Sequence, residues 1–195
     1  ILRYGRVGRC QDFFYIYMKI DKNKKTLFIL DVDGVMTSGV FYYTSKGKFM
    51  KAFGPDDHDA LCLLKPYLEI RFVTGDSKGF SISKKRIQKD MGFPLDLVST
   101  IKRIEWINKK FPKKNIIYMG DGIFDHYVMK KVNYSIAPNN ADENAKKFAN
   151  YVTKRNGGDR AVAEASLHIL KKFFKRFNPD KMPEKNVKLS GKWNV

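Results

Sequence analysis

The chain has 195 residues, 43% of them apolar and 14% aromatic, and carries a net charge of +18. That is enough for one domain with a sizeable core, too little for two comfortable ones, and too apolar for a disordered chain. No apolar run approaches the ~20 residues that span a bilayer, and two cysteines, Cys10 and Cys62, make neither a disulfide framework nor a metal-ligand spacing, which points to a reducing, cytoplasmic compartment.

Residues 1–26 read as an N-terminal extension. Three arginines precede the apolar run 13–20, but the run is short and lacks a small-residue cleavage site before DKNKK, which argues against a secretory signal. Met18, opening MKIDKNKK, is an alternative natural start. Residues 27–31 then predict a buried parallel strand ending on a carboxylate, Asp31, followed by Asp33 and Gly34. Ligands in open α/β sheets sit beyond the carboxyl ends of such strands. Two aspartates there, with a glycine that lets a ligand approach the backbone, suggest a metal and phosphate site; an ordinary acidic turn is the alternative.

Two aromatic-rich runs, 40–44 and 49–53, flank a turn containing Gly47 and predict a β-hairpin. Helices are expected over 59–68 (broken at Pro66), 81–91, 101–111, 123–131, 141–148 and 159–174. Strands are expected over 70–74, around Leu97, and over 116–120, 134–137 and 151–153. This alternation implies right-handed βαβ units in a doubly wound, Rossmann-like parallel sheet over 27–170, with a basic tail over 171–195. The charge excess is concentrated in the ends: +5 in residues 1–25 and +6 in residues 171–195. No zinc-finger, RNP-type or helix-turn-helix signature accompanies it, so basic tails on an enzyme fit better than a nucleic-acid binder.

The predicted strands end on residues suited to phosphate chemistry. The first ends DVDG, the second at Thr74, Gly75 and Asp76, and a third at Gly120 and Asp121 with Asp125 four residues on. Lys102 opens a helix between them, where its ammonium and the helix N-terminus both favour an anion. Each has an ordinary reading as a cap, turn or solvated face; together at one sheet edge they make a site.

These residues resemble the four motifs of haloacid-dehalogenase (HAD) superfamily phosphatases: Asp31/Asp33, Thr74, Lys102 and Asp121/Asp125. The chain is most similar to the 3-deoxy-D-manno-octulosonate 8-phosphate (KDO 8-phosphate) phosphatase family, through DVDGVMTSG, KAF, VTGD, GDGIFD and YVTKRNGGDRAV between residues 27 and 170. The resemblance implies Asp31 as nucleophile, forming an aspartyl-phosphate, and Asp33 as general acid and then base. It implies Mg²⁺ held by Asp31, the Asp33 carbonyl and Asp121, and phosphate oxygens met by Thr74, Lys102 and backbone N–H groups near Gly34 and Gly75. Asp125 would orient Lys102 or an outer water, with Asp57 and Asp76 at the substrate end and His58 beside them.

Three positions depart from the family pattern: Gly122 where GDD is usual, Asp76 where TGR is usual, and Ser38 in place of an aspartate. Asp76 in particular bears on which sugar acid is accepted. The resemblance also implies a small hairpin in place of a cap domain and a homotetramer assembled through it. The alternatives are a nonulosonate 9-phosphate phosphatase of the same chemistry, a nucleic-acid-associated 3′-phosphatase or binder, and a non-catalytic assembly domain of the same fold.

Overall fold

A computed structural model describes residues 20–174, 178 and 181. Cys10, Met18 and most of the basic C-terminal segment therefore lie outside the described residues.

β1 (Thr26–Asp31) is the centre of the molecule. Its side chains alternate between two apolar clusters, Phe28 and Leu30 on one face and Leu27 and Ile29 on the other. Because both faces are covered, the strand reads as a continuous apolar run instead of an alternating one. The first cluster takes residues of α1 (Asp56–Leu64) and α6 (Ala161–Ile169), together with Ile87 from the wide π turn, Lys85–Asp90, that continues α2 (Phe80–Lys84). The second takes residues of α3 (Arg103–Lys110), α4 (Asp125–Met129) and α5 (Glu143–Phe148).

β4 (Glu69–Thr74) and β6 (Asn115–Met119) flank β1, with β5 (Leu95–Leu97) outside β4, and β7 (Tyr134–Ala137) and β8 (Tyr151–Val152) outside β6. All five pairings are parallel. The chain moves outward from β1 to β5, then returns to the other side of β1 at β6, so the order reverses beside β1. In a doubly wound sheet, that crevice is where ligands bind. Register aligns the strand ends, with Asp31 opposite Val73 and Leu30 opposite Met119. Asp31, Thr74 and the Gly120–Asp121 turn therefore meet at one sheet edge.

The expected elements are present with shifted ends. α1 begins at Asp56 and stops at Leu64, short of Pro66, and α3 begins at Arg103 after a 3₁₀ turn over Thr100–Lys102. β2 (Tyr42–Thr44) and β3 (Gly47–Met50) form a separate antiparallel hairpin. Val40, Tyr42, Tyr43, Phe49 and Met50 are exposed on it, Phe49 at 68%. The hairpin does not fold these aromatics onto its own core. Among the described residues no helix is long and apolar enough to cross a membrane.

Candidate active site

Asp31 ends β1, and the chain turns at once: the N–H groups of Val35, Met36 and Thr37 all reach the Val32 carbonyl. Asp31 Oδ1 accepts from the Val32 N–H at 2.7 Å, and Oδ2 accepts from Arg103 Nη1 at 2.7 Å. Two residues on, Asp33 has different partners. Its Oδ2 accepts from the buried Thr74 hydroxyl at 3.1 Å, and its Oδ1 lies 2.6 Å from the ammonium of Lys51. A single turn thus places two carboxylates side by side with separate counter-charges.

The cation beside Asp31 is Arg103, and the expectation for Lys102 is corrected. Lys102 is exposed, at the end of the 3₁₀ turn, whereas Arg103 is 1% exposed and is the first residue of α3. Successive helical residues point ~100° apart, so a one-residue difference in phase exchanges an outward for an inward side chain. Arg103 shares its face with buried Ile107 at i+4, a periodicity visible in the sequence. Its Nη1 also donates to Asp125 Oδ1 at 3.1 Å and to the Tyr118 hydroxyl at 2.5 Å, while its buried Nε has no partner among the described residues. Burial disfavours the guanidinium, but Tyr118, Asp31 and Asp125 together outweigh it and keep the charge in place.

Asp121 sits at the end of β6, its carboxylate packed against Gly34. A Cβ on Gly34 would lie 1.9 Å from Asp121 Oδ2, and φ there is +87°, so the position requires glycine on both counts. Gly34 makes room for the Asp121 carboxylate. Asp31, Asp121 and Asp125 present oxygens within 4.8 Å of one another. Asp125 has spent both of its own: Oδ1 accepts from Tyr118 and Arg103, and Oδ2 from the N–H groups of Asp121 and Gly122. It fixes the turn, and the Gly122 N–H closes that turn without a second acidic side chain.

Asp31 and Asp121 remain as candidate cation ligands. Burial pushes Asp31 up to about 6, with Arg103 opposing and Asp125 adding to the shift. Asp121 is pushed up to about 8 by burial and by its neighbours Asp31 and Asp125. One arginine leaves this carboxylate cluster under-compensated, and a hard divalent cation with oxygen preference such as Mg²⁺ fits it.

Two further expectations are corrected. Asp57 lies in α1, 1% exposed, with Oδ1 accepting from the Ala163 N–H at 2.8 Å, so it caps the start of α6. His58 is buried beside it, edge-on to Phe93. Both Asp76 oxygens are engaged within the protein: Oδ2 takes Lys48 at 2.5 Å and Lys51 at 2.8 Å, and Oδ1 takes the Gly79 N–H at 3.0 Å. Burial alone would raise its pKa, but the two ammonium groups hold it at about 2. Gly75 follows Thr74, exposed and uncrowded. Sequence reasoning missed Arg103, Tyr118 and Lys51; a lysine inside the apolar stretch 49–53 was the available signal for the last.

A family model for haloacid dehalogenase-like hydrolases matches residues 67–165. The 3-deoxy-D-manno-octulosonate 8-phosphate phosphatase of Salmonella typhi is 32% identical over 148 residues, covering 71% of this chain and 75% of that protein. The chain is a haloacid dehalogenase-like hydrolase. Among solved structures of this hydrolase family, the Moraxella catarrhalis 3-deoxy-D-manno-octulosonate 8-phosphate phosphatase, in complex with magnesium, phosphate and KDO, superposes with a TM-score of 0.67. It is 27% identical, over 75% of this chain and 86% of that one. The Yersinia pestis enzyme of the same name gives 0.64 at 29% identity, over 74% and 80%. The parallel sheet and small hairpin described above are thus those of a HAD-like hydrolase.

Proposed function

We propose that the chain is a Mg²⁺-dependent phosphomonoesterase acting on a sugar-acid phosphate of the KDO 8-phosphate type. The observation that carries the reading is the pair of carboxylates leaving β1 with different partners: Asp31 against Arg103 and beside Asp121, Asp33 against Thr74 and Lys51. Asp31 attacks phosphorus as the bond to the sugar oxygen breaks, and Asp33 gives that oxygen its proton. Asp33 then takes a proton from the water that hydrolyses the aspartyl-phosphate, releasing phosphate and restoring Asp31. Arg103, whose Nη1 holds Asp31, places a positive charge beside the phosphoryl group, and backbone N–H groups near Gly34 and Gly75 donate to its equatorial oxygens. Mg²⁺ would be held by Asp31, Asp121 and the Asp33 carbonyl, and supplies neutralisation of charge between nucleophile and substrate.

The eight-carbon substrate is supported by the relatives' names and by Asp76, whose charge is cancelled by Lys48 and Lys51 and does not present a free anion to the sugar. Phosphate release from KDO 8-phosphate is expected to exceed release from a nonulosonate 9-phosphate at equal concentration by at least tenfold in kcat/KM. The reverse order would move the assignment to the nine-carbon acid.

We also infer a homotetramer assembled through the hairpin, because an aromatic patch including Tyr42, Tyr43 and Phe49 is a liability on a lone subunit. Sedimentation is expected to give a tetramer for the wild type and a smaller species for Tyr43→Ser/Phe49→Ser. A wild-type monomer at micromolar concentration would end this part of the reading.

A further inference from the structure

Lys51 is the last residue one would bury on a two-stranded hairpin, yet its side chain is 0% exposed. It follows β3 directly, and its ammonium meets three acceptors: Asp33 Oδ1 at 2.6 Å, Asp76 Oδ2 at 2.8 Å and the buried Ser83 Oγ at 3.0 Å. Burying an ammonium is costly unless every proton is used. Here two carboxylates and a hydroxyl surround it, and one of the carboxylates belongs to the residue two places after the nucleophile.

The surroundings are built around that ammonium. Asp76 is braced from the other side by Lys48, which itself lies 3.3 Å over the ring of Phe41. Gly79 forms the floor. A Cβ there would lie 2.2 Å from Asp76 Oδ2, 2.7 Å from Lys48 Cδ and 2.9 Å from Lys51 Cε. Its φ of −102° is open to any residue, so the glycine is required for space and not for conformation. Thr74 holds the other oxygen of Asp33 while bonding the Asp76 N–H, so the same short segment fixes Asp33 from two directions. The Lys51 contact with Oδ1 is ionic and not aligned as a hydrogen bond, and Oδ1 is itself buried, so the exposed part of the Asp33 side chain is not the oxygen that Lys51 holds.

We propose that Lys51 is the positioning residue for the Asp33 carboxyl, and that Lys48, Asp76 and Gly79 form a lock holding Lys51 against it. The hairpin is thereby tied to the proton-transfer half of the site. This proposal rests on the phosphatase reading and adds residues to it. A positioning role has a signature that loss of folding stability lacks. A sugar alkoxide needs the Asp33 proton in order to leave, whereas p-nitrophenolate leaves without one. The parameter to compare is kcat/KM, which ends at phosphoryl transfer to Asp31 and excludes the later hydrolytic step common to both substrates.

In the full-length chain with Mg²⁺, kcat/KM for KDO 8-phosphate is expected to fall by about 100-fold in Lys51→Met, the scale of general acid catalysis. For p-nitrophenyl phosphate it is expected to stay within about threefold. Gly79→Ala and Lys48→Met, which keep the Lys51 ammonium but disturb its brace, should show the same selective loss at smaller size, and should do so where Lys51→Met fails to fold. Equal losses on both substrates, or no loss on either, in the folded variants would overturn the proposal while leaving the phosphatase reading intact. A wild type inactive on both substrates would overturn both.

Discussion

Arg103→Met should lose both turnover and stability, while Lys102→Met one residue away should lose neither. Arg103 is a buried cation between Asp31 and Asp125 and under the Tyr118 hydroxyl. Removing one partner of a buried ionic group strands the others, at a typical cost of about 3–5 kcal/mol. A charge-stabilising donor removed from a phosphoryl-transfer site typically costs about 10²–10³ in kcat. Lys102 is solvent-exposed, and substitutions there fall within about 0.5 kcal/mol. Arg103→Lys should recover only part of the loss, since an ammonium on a shorter stem does not reach the point from which Nη1 meets Asp31, Asp125 and Tyr118 at once. Thermal unfolding and kcat measured on the three variants check this; a larger kcat loss at Lys102 than at Arg103 would reverse the assignment.

The carboxylates predict how metal binding follows pH. In the metal-free chain Asp121 titrates at about 8 because burial, then Asp31 and Asp125, disfavour its charge. Its unfolded value is the ordinary 3.8, so between those limits the folded state holds the extra proton, and metal-free stability falls as pH rises through the window. His58 and His168 are depressed below 6.5 and act in the opposite sense only at lower pH. Asp76 is ionised in both states there. Between pH 6.5 and 8 the Asp121 proton therefore dominates, and Mg²⁺ must displace it to bind. Melting temperature in chelator should fall across that range, and the increment given by Mg²⁺ should grow, with apparent affinity rising by up to about tenfold per pH unit. A Mg²⁺ increment that stays flat from pH 6.5 to 8 would contradict the placement of Asp121 as a metal ligand.

The parts of this site that could be read from the sequence are those set by a single strand and the turn after it. Residues 27–31 are apolar throughout because both faces of β1 are covered, and the aspartates that follow fall at the sheet edge by necessity. Thr74 and Asp121 follow their strands to the same edge for the same reason. Lys102 and Arg103 were not separable by pattern alone, since the helix phase depends on where the 3₁₀ turn over Thr100–Lys102 gives way to α3. Asp57 and Asp76 were misplaced for another reason: their partners are remote. Asp57 caps a helix 106 residues downstream, and Asp76 pairs with a lysine 28 residues upstream on the hairpin. An aspartate near a motif and an aspartate in a long-range clamp look alike until the chain is folded. The basic ends hold most of the net charge, and they lie largely outside the described residues.

The division of labour between the two β1 carboxylates is tested most directly by phosphate release from KDO 8-phosphate in Mg²⁺, wild type against Asp31→Asn. The wild type should turn over in Mg²⁺ and stop in chelator, and Asp31→Asn, folded by thermal unfolding, should lose at least about 10³-fold in kcat as expected for a missing nucleophile. Unchanged turnover in Asp31→Asn would contradict the account at its centre.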